Sequence, residues 1–300
     1  MIFFQLSFYI LLEFFDIMRK AVFDGQFYES DSEKLDEQID RCFTGRFGPG
    51  DLPVKRHKKI YGVISPHAGY MFSGGGMAWS YKEIAEAEFA KTYVILGVNH
   101  AGFGRKFVCS LEDWESVFGA VKVDRDFADK LMKKSELKVD EETHIREHSI
   151  EVQLPFLQFV NKNKLKELRI LPILVNCDDY EELKKFGEVL GGFKDVIVIV
   201  SSDFSHVGKN YGYLPFRYNL KESVYEMDKK AMELVSKLKS KEFFDFKKDK
   251  TICGGNVIVV GIEAVKKMGS KSGRILHYYS SGDVVEDYKN FVGYGSLVFE

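Results

Sequence analysis

Short apolar runs alternate with longer amphipathic stretches along the chain from residue 59 onward. The apolar runs are rich in valine, isoleucine and leucine and have the length of buried strands rather than of helices. The predicted strands are residues 60–65, 92–98, 168–175, 196–201, 274–281 and 293–299.

The stretches between these runs favour helices, because their apolar residues recur at helical spacing. The predicted helices are residues 76–91, 149–162, 178–192, 220–238 and 254–269. Ser73 and the three glycines after it are expected to form a close turn before the first helix, and Pro155 is expected to bend or restart the second. This alternation predicts a single α/β domain with a mostly parallel or mixed central sheet and helices on both faces.

Histidines follow three predicted strands at the point where each strand ends. His67 follows the first strand and His100 the second, while His206 follows the strand at 196–201, with Asp203 three residues before it. Ligands of open α/β sheets bind beyond the carboxyl ends of the strands. Imidazole is a common metal ligand and titrates near neutral pH. The pattern therefore predicts a pocket for metal binding or acid–base chemistry; the alternative is that each is a half-buried loop histidine bonded to backbone.

Two other segments carry residues of the same chemical types. Glu147 and His148 open a predicted helical stretch, where they would provide a supporting carboxylate or a proton relay; the alternative is an exposed, charged first turn. Cys253 precedes two glycines and an apolar helical run. A helix N-terminus stabilises a thiolate, and the alternative is a buried, inert cysteine.

Composition narrows the class of protein. The chain of 300 residues has a hydrophobic fraction of 45% and a formal net charge of -2, which is typical of a globular protein that binds neither nucleic acid nor an anionic membrane. Its four cysteines form no CxxC pair, which argues against a disulfide scaffold and favours a reducing, cytoplasmic setting.

The first 17 residues are apolar but are interrupted by Gln5, Glu13 and Asp16. They match neither a secretory signal nor a full membrane span. We interpret residues 1–17 as an extension outside the fold and residues 18–300 as the α/β domain, with a membrane-surface helix as the alternative for the extension.

An ordered series of motifs resembles the Memo family. The series is "SPHAGY", "NHAG", "EHSIEVQLPFLQ", "SSDFSH", "CGGN" and "YYSSGDVVEDYKNFVGYGSLVF", and it covers nearly the whole chain from about Met18. The resemblance implies a fold similar to class III extradiol dioxygenases, which are non-haem iron enzymes. It also implies a metal, Fe(II) or Cu, bound by His67, His100 and Cys253, with Asp203 and His206 in the same pocket.

Three functions remain open at this point. The first is a redox enzyme with an unknown small-molecule substrate, in which His206 is the acid/base, Asp203 poises it and His148 relays protons. The second is metal-assisted hydrolysis with zinc, in which Asp203 or Glu147 is the base. The third is a module that binds peptides or partner proteins, and the resemblance implies a radical-SAM-type partner. Residues 204–218 would be the contact surface unless Tyr211, Tyr213 and Phe216 pack onto the domain.

Overall fold

The computed structural model describes residues 18–54 and 58–300. The interpretation of residues 1–17, as an extension or as a membrane-surface helix, falls outside the described residues. Across the described ranges, no helix combines the length and the apolar character that crossing a bilayer requires.

Strands and helices alternate along the chain. The strands are β1 (Met18–Arg19), β2 (Gly62–Ser65), β3 (Thr92–Val98), β4 (Phe107–Cys109), β5 (Asp113–Trp114), β6 (Lys122–Val123), β7 (Lys138–Val139), β8 (Arg169–Val175), β9 (Val196–Ser201), β10 (His206–Gly208), β11 (Gly273–Ser280) and β12 (Asn290–Phe299). The helices are α1 (Ser32–Thr44), α2 (Tyr70–Glu86), α3 (Arg125–Met132), α4 (Glu142–Ile145), α5 (His148–Glu151), α6 (Gln153–Phe159), α7 (Tyr180–Leu190), α8 (Leu220–Ser236), α9 (Ser240–Lys247), α10 (Gly255–Met268) and α11 (Ser281–Val285).

The main sheet is mixed, and its inner part is parallel. The strand order is β10-β12-β2-β9-β3-β8-β4-β7, with β11 also beside β12 and β6 beside β8. Strands β2, β9, β3 and β8 run parallel to one another, whereas β12 runs antiparallel to β2. Because the four inner strands run the same way, their carboxyl ends meet at one edge of the sheet.

Two consecutive residues of β9 show that helices cover both faces of this sheet. Successive strand side chains point to opposite faces. Val200 lies against Gly261 of α10, where an added Cβ would come within 2.3 Å of Val200 Cγ2. The Ser201 hydroxyl instead donates a hydrogen bond to the carbonyl of Ser149 in α5. Helix α10 therefore packs on one face and α5 on the other, and the predicted α/β fold class is confirmed.

The start predicted for the first helix, residue 76, was wrong by six residues. Helix α2 begins at Tyr70, so Ser73 and the following glycines lie inside the helix rather than in a turn before it. The glycines serve close packing: a Cβ on Gly74 would lie 2.4 Å from Cys42 Sγ, and a Cβ on Gly75 would lie 2.7 Å from Phe47 Cβ. The stretch at 149–162 is divided at Val152 into α5 and α6, in keeping with the expected restart.

Candidate metal centre

The carboxyl ends of three parallel strands place polar side chains at one point. His67 lies two residues beyond β2, His100 two residues beyond β3, and Asp203 two residues beyond β9. The ring centroids of His67 and His100 are 5.3 Å apart. Asp203 Oδ1 accepts a hydrogen bond of 2.8 Å from the backbone N–H of His67. The topology of the sheet thus brings together residues that are far apart in sequence.

His148, the first residue of α5, completes a group of three imidazoles. Its ring is stacked on that of His100 with centroids 4.4 Å apart, and it lies 5.4 Å from the His67 ring. The ligand atoms of His67, His100 and His148 all lie within 4.8 Å of one another, a spacing that could hold a metal ion. We predicted a proton-relay role for His148, and this geometry also makes it a candidate ligand.

His67 is buried and presents one nitrogen without a partner. Its Nδ1 lies 3.0 Å from Ser201 Oγ, but among the described residues no group is hydrogen-bonded to its Nε2, which is also buried. Burial lowers the pKa of His67 to about 3, with a smaller contribution from His100, so the ring is neutral at neutral pH. A buried nitrogen left without a hydrogen bond costs about 1–3 kcal/mol. A metal ion at Nε2 would satisfy it.

His100 is supported by the carboxylate of Glu147. Glu147 Oε1 lies 2.9 Å from His100 Nδ1. Burial alone would raise the pKa of Glu147, but the hydrogen bond to His100 and its charge outweigh burial and bring the pKa to about 2. Metal-binding histidines usually donate their second ring N–H to such a carboxylate, which leaves the other nitrogen for the metal. The supporting role suggested for Glu147 therefore fits its geometry.

Cys253 approaches the cluster through His100. Its Sγ lies 3.0 Å from His100 Nε2, immediately before the Gly254 N-cap of α10. Burial raises the pKa of the Cys253 thiol well above its usual range, and the negative charges of Asp203 and Glu147 raise it further. Burial and these charges therefore favour the thiol over the thiolate. A bound divalent metal would reverse this preference, since coordinated thiols lose their proton.

Asp203 lies between two histidines. Its Oδ2 is 3.9 Å from Nε2 of His67 and 3.9 Å from Nε2 of His206. Burial raises the pKa of Asp203, opposed by His206, and burial lowers the pKa of His206, opposed by Asp203. A separation of 3.9 Å exceeds a direct hydrogen bond, so a water molecule or a substrate group is needed to connect them.

Aromatic side chains flank the cluster on two sides. Phe23 and Phe27, from the loop after β1, contact the His148 ring with centroids 5.7 and 4.8 Å away. Tyr211 contacts the His206 ring at 5.0 Å and is 42% exposed. Neither phenylalanine could be predicted from the sequence, because both lie outside the strand ends and carry no chemical group that would mark them.

Two other aromatic residues of the 204–218 segment pack onto the domain, whereas Tyr218 is 84% exposed. Tyr213 and Phe216 lie against the apolar cluster of Val207, Val224 and Phe291. The expected packing is therefore seen for Tyr213 and Phe216, whereas Tyr211 is exposed.

Comparison with known proteins agrees with the motifs. The family model described as Memo-like protein matches residues 19–298. The chain belongs to the Memo family. Similar MEMO1 family proteins occur in Methanococcus maripaludis, with 35% identity over 93% of this chain and 99% of the relative. Others occur in Methanopyrus kandleri, with 36% identity over 94% and 98% of the two chains, and in Pyrococcus furiosus, with 36% identity over 94% and 99%. The resemblance that the motifs indicated is thus confirmed for this Memo-family chain.

Proposed function

We propose that this Memo-family chain is a metal-dependent redox protein in which His67 and His100 bind Fe(II) or Cu. The observation that supports the proposal is the cluster of imidazole donors within 4.8 Å of one another, one of which is a buried nitrogen with no hydrogen bond among the described residues. Imidazole suits iron, copper and zinc alike. The choice of a redox metal follows the likeness of the family to class III extradiol dioxygenases.

The third ligand is either Cys253 or His148. The family motif favours Cys253, whose Sγ is 3.0 Å from His100 Nε2. The geometry favours His148, which shares the cluster of ligand atoms with His67 and His100. A thiolate would provide the anionic charge that a divalent metal favours, whereas a third imidazole would leave the site with neutral ligands only.

The chain's own residues would orient the substrate and move protons. A bound iron or copper ion would supply electron exchange with dioxygen and substrate. His206 would give or take a proton at Nε2, with Asp203 on the same side stabilising the protonated ring. Phe23 and Phe27 would keep water from the His148 side. In this proposal the reaction is an oxygen-dependent oxidation of a small molecule.

The same cluster of imidazoles also favours a second function, metal-assisted hydrolysis. Three neutral imidazoles with an open fourth position are also a zinc site that activates water for hydrolysis. Asp203, 3.9 Å from His67 Nε2, would then be the general base. The metal that the protein retains separates these two functions.

The test is elemental analysis of protein purified without oxygen, beside the variants His67→Ala, Cys253→Ala and His148→Ala. We expect about one equivalent of iron or copper in the parent and loss of metal in His67→Ala. Whichever of the other two variants loses metal identifies the third ligand. His277→Ala, which alters a histidine outside the cluster, should keep the metal.

His206→Ala should also keep its metal, because His206 is outside the cluster of ligand atoms. One equivalent of zinc that resists exchange for iron or copper would favour the hydrolase. Substoichiometric metal that His67→Ala, Cys253→Ala and His148→Ala all leave unchanged would overturn the proposed site and favour a binding module.

A further inference from the structure

A buried chain of hydrogen bonds leads from α6 to the Nδ1 side of His67. Gln153 Nε2 lies 3.0 Å from Ser201 Oγ, and Ser201 Oγ lies 3.0 Å from His67 Nδ1. Gln153 and Ser201 are fully buried, and His67 is 1% exposed. Because solvent does not reach these groups, each proton must have an acceptor within the chain.

The Gln153 amide can adopt only one of its two orientations. Its Nε2 lies 2.9 Å from the carbonyl oxygen of Pro66, and its Oε1 accepts a hydrogen bond of 3.0 Å from the Tyr81 hydroxyl. A flipped amide would set its oxygen against the Pro66 carbonyl and its NH₂ group against the Tyr81 hydroxyl, which would then have to accept. The Pro66 carbonyl, which can only accept, therefore fixes the orientation of the amide, and Gln153 donates to Ser201.

The single proton of Ser201 is also assigned. Ser201 Oγ lies 2.6 Å from the carbonyl oxygen of Ser149, and two oxygens this close must share a proton. The hydroxyl therefore donates to Ser149, and its lone pairs accept from Gln153 and from His67. It follows that His67 carries its proton on Nδ1 and has a lone pair on Nε2.

We propose that Ser201, oriented by Gln153, is a positioning residue that locks His67 in the Nδ1–H tautomer and aims its Nε2 lone pair at the metal position. A serine hydroxyl thus performs for His67 the task that the Glu147 carboxylate performs for His100, without adding a second negative charge beside the ligands. The role in metal binding rests on the proposed function, whereas the tautomer rests on the hydrogen bonds alone.

The tautomer is measured directly in the metal-free protein. Long-range ¹H–¹⁵N correlation spectra of protein labelled with ¹⁵N-histidine distinguish a protonated ring nitrogen from one with a lone pair. The signals of His67 are identified by their loss in His67→Gln. We expect Nδ1 to be protonated and Nε2 to be unprotonated in the parent. Protonation at Nε2 would overturn the proposal without any further variant.

Ser201→Ala and Ser80→Ala form a matched pair for the positioning role. Both serines are fully buried, and Ser80 Oγ likewise donates a 2.6 Å hydrogen bond to a strand carbonyl, that of Ile64, but touches no imidazole. Ser201→Ala should change the tautomer populations of His67 and weaken binding of Zn²⁺, used as the probe metal, by about 10- to 100-fold. Ser80→Ala should alter neither property.

The metal-binding measurements distinguish a failure of the positioning role from a failure of the proposed function. A parent with the expected tautomer that binds no Zn²⁺, Fe²⁺ or Cu⁺ would remove the metal function and the positioning role with it. A parent that binds metal but keeps both its tautomer and its affinity in Ser201→Ala would overturn the positioning role alone.

Discussion

Glu147 holds His100 at two points with one carboxylate. Its Oε2 accepts a hydrogen bond of 2.9 Å from the backbone N–H of His100, and its Oε1 lies 2.9 Å from the ring Nδ1. The same Oε1 accepts from the backbone N–H of Ser149 at the start of α5. One side chain therefore fixes the loop after β3, the orientation of the His100 ring and the first turn of the helix that carries His148.

Glu147→Gln should weaken metal binding while the fold persists. The amide cannot accept at both positions, because its NH₂ group would meet either the backbone N–H or the ring N–H of His100. We expect the dissociation constant for Zn²⁺, measured by competition with a chromophoric chelator, to rise about 10- to 100-fold.

Glu142→Gln is the matched control for this prediction, because Glu142 is an exposed carboxylate in the neighbouring helix α4. It should leave the Zn²⁺ affinity unchanged. Equal affinities in the parent and Glu147→Gln would show that the carboxylate does not support the ligand.

The strand ends could be predicted because a parallel sheet has a simple geometry. The predicted strands 92–98 and 196–201 match β3 and β9 residue for residue. Each is an apolar run with a sharp polar boundary, and the edge position of His100 and Asp203 follows from that boundary. The remaining four predicted strands agree with the structure within three residues at each end.

The position of His148 beside His100, and its contacts with Phe23 and Phe27, could not be predicted in the same way. The restart after Val152 was expected from Pro155, but the cap that Glu147 forms on α5, the helix that carries His148, has no distinct sequence pattern. The contacts of Phe23 and Phe27 with His148 depend on where the loop after β1 is anchored. Long-range contacts of this kind are set by packing and not by local periodicity.

Glu151 anchors that loop. Its carboxylate forms a buried ion pair with Arg19 and accepts hydrogen bonds from the backbone N–H of Phe23 and from the Tyr28 hydroxyl. Glu151→Gln would leave the Arg19 charge buried without its partner. We expect a loss of about 3–5 kcal/mol in the free energy of unfolding, measured by urea denaturation with circular dichroism.

A surface pair provides the comparison for Glu151. Lys20 and Glu115 are separated by 3.3 Å, and both side chains are substantially exposed. Glu115→Gln should therefore cost less than about 1 kcal/mol. A loss of the same small size in Glu151→Gln would show that the buried pair contributes no more than the exposed one.

Asp228 is a buried carboxylate that is hydrogen-bonded to Ser205, the residue before His206. It lies in α8 and is fully buried. It accepts hydrogen bonds from the Ser205 hydroxyl and from the Tyr278 hydroxyl. Burial raises the pKa of Asp228 from 3.8 to about 6, because these hydrogen bonds offset only part of the desolvation. The folded protein therefore binds a proton at Asp228 more tightly than the unfolded chain does.

This difference makes stability fall as the pH rises between about 4 and 6. Below pH 4 the carboxyl group is protonated in both states, and above pH 6 the full cost of burying the charge is present, about 3 kcal/mol at 1.36 kcal/mol for each pKa unit. The asparagine of Asp228→Asn cannot ionise. The free energy of unfolding of the parent, relative to that of this variant, should therefore fall by about 3 kcal/mol from pH 4 to pH 7. Urea denaturation of both proteins across this range measures the difference. A difference that stays constant with pH would show that the pKa of Asp228 is the same in the folded and unfolded states.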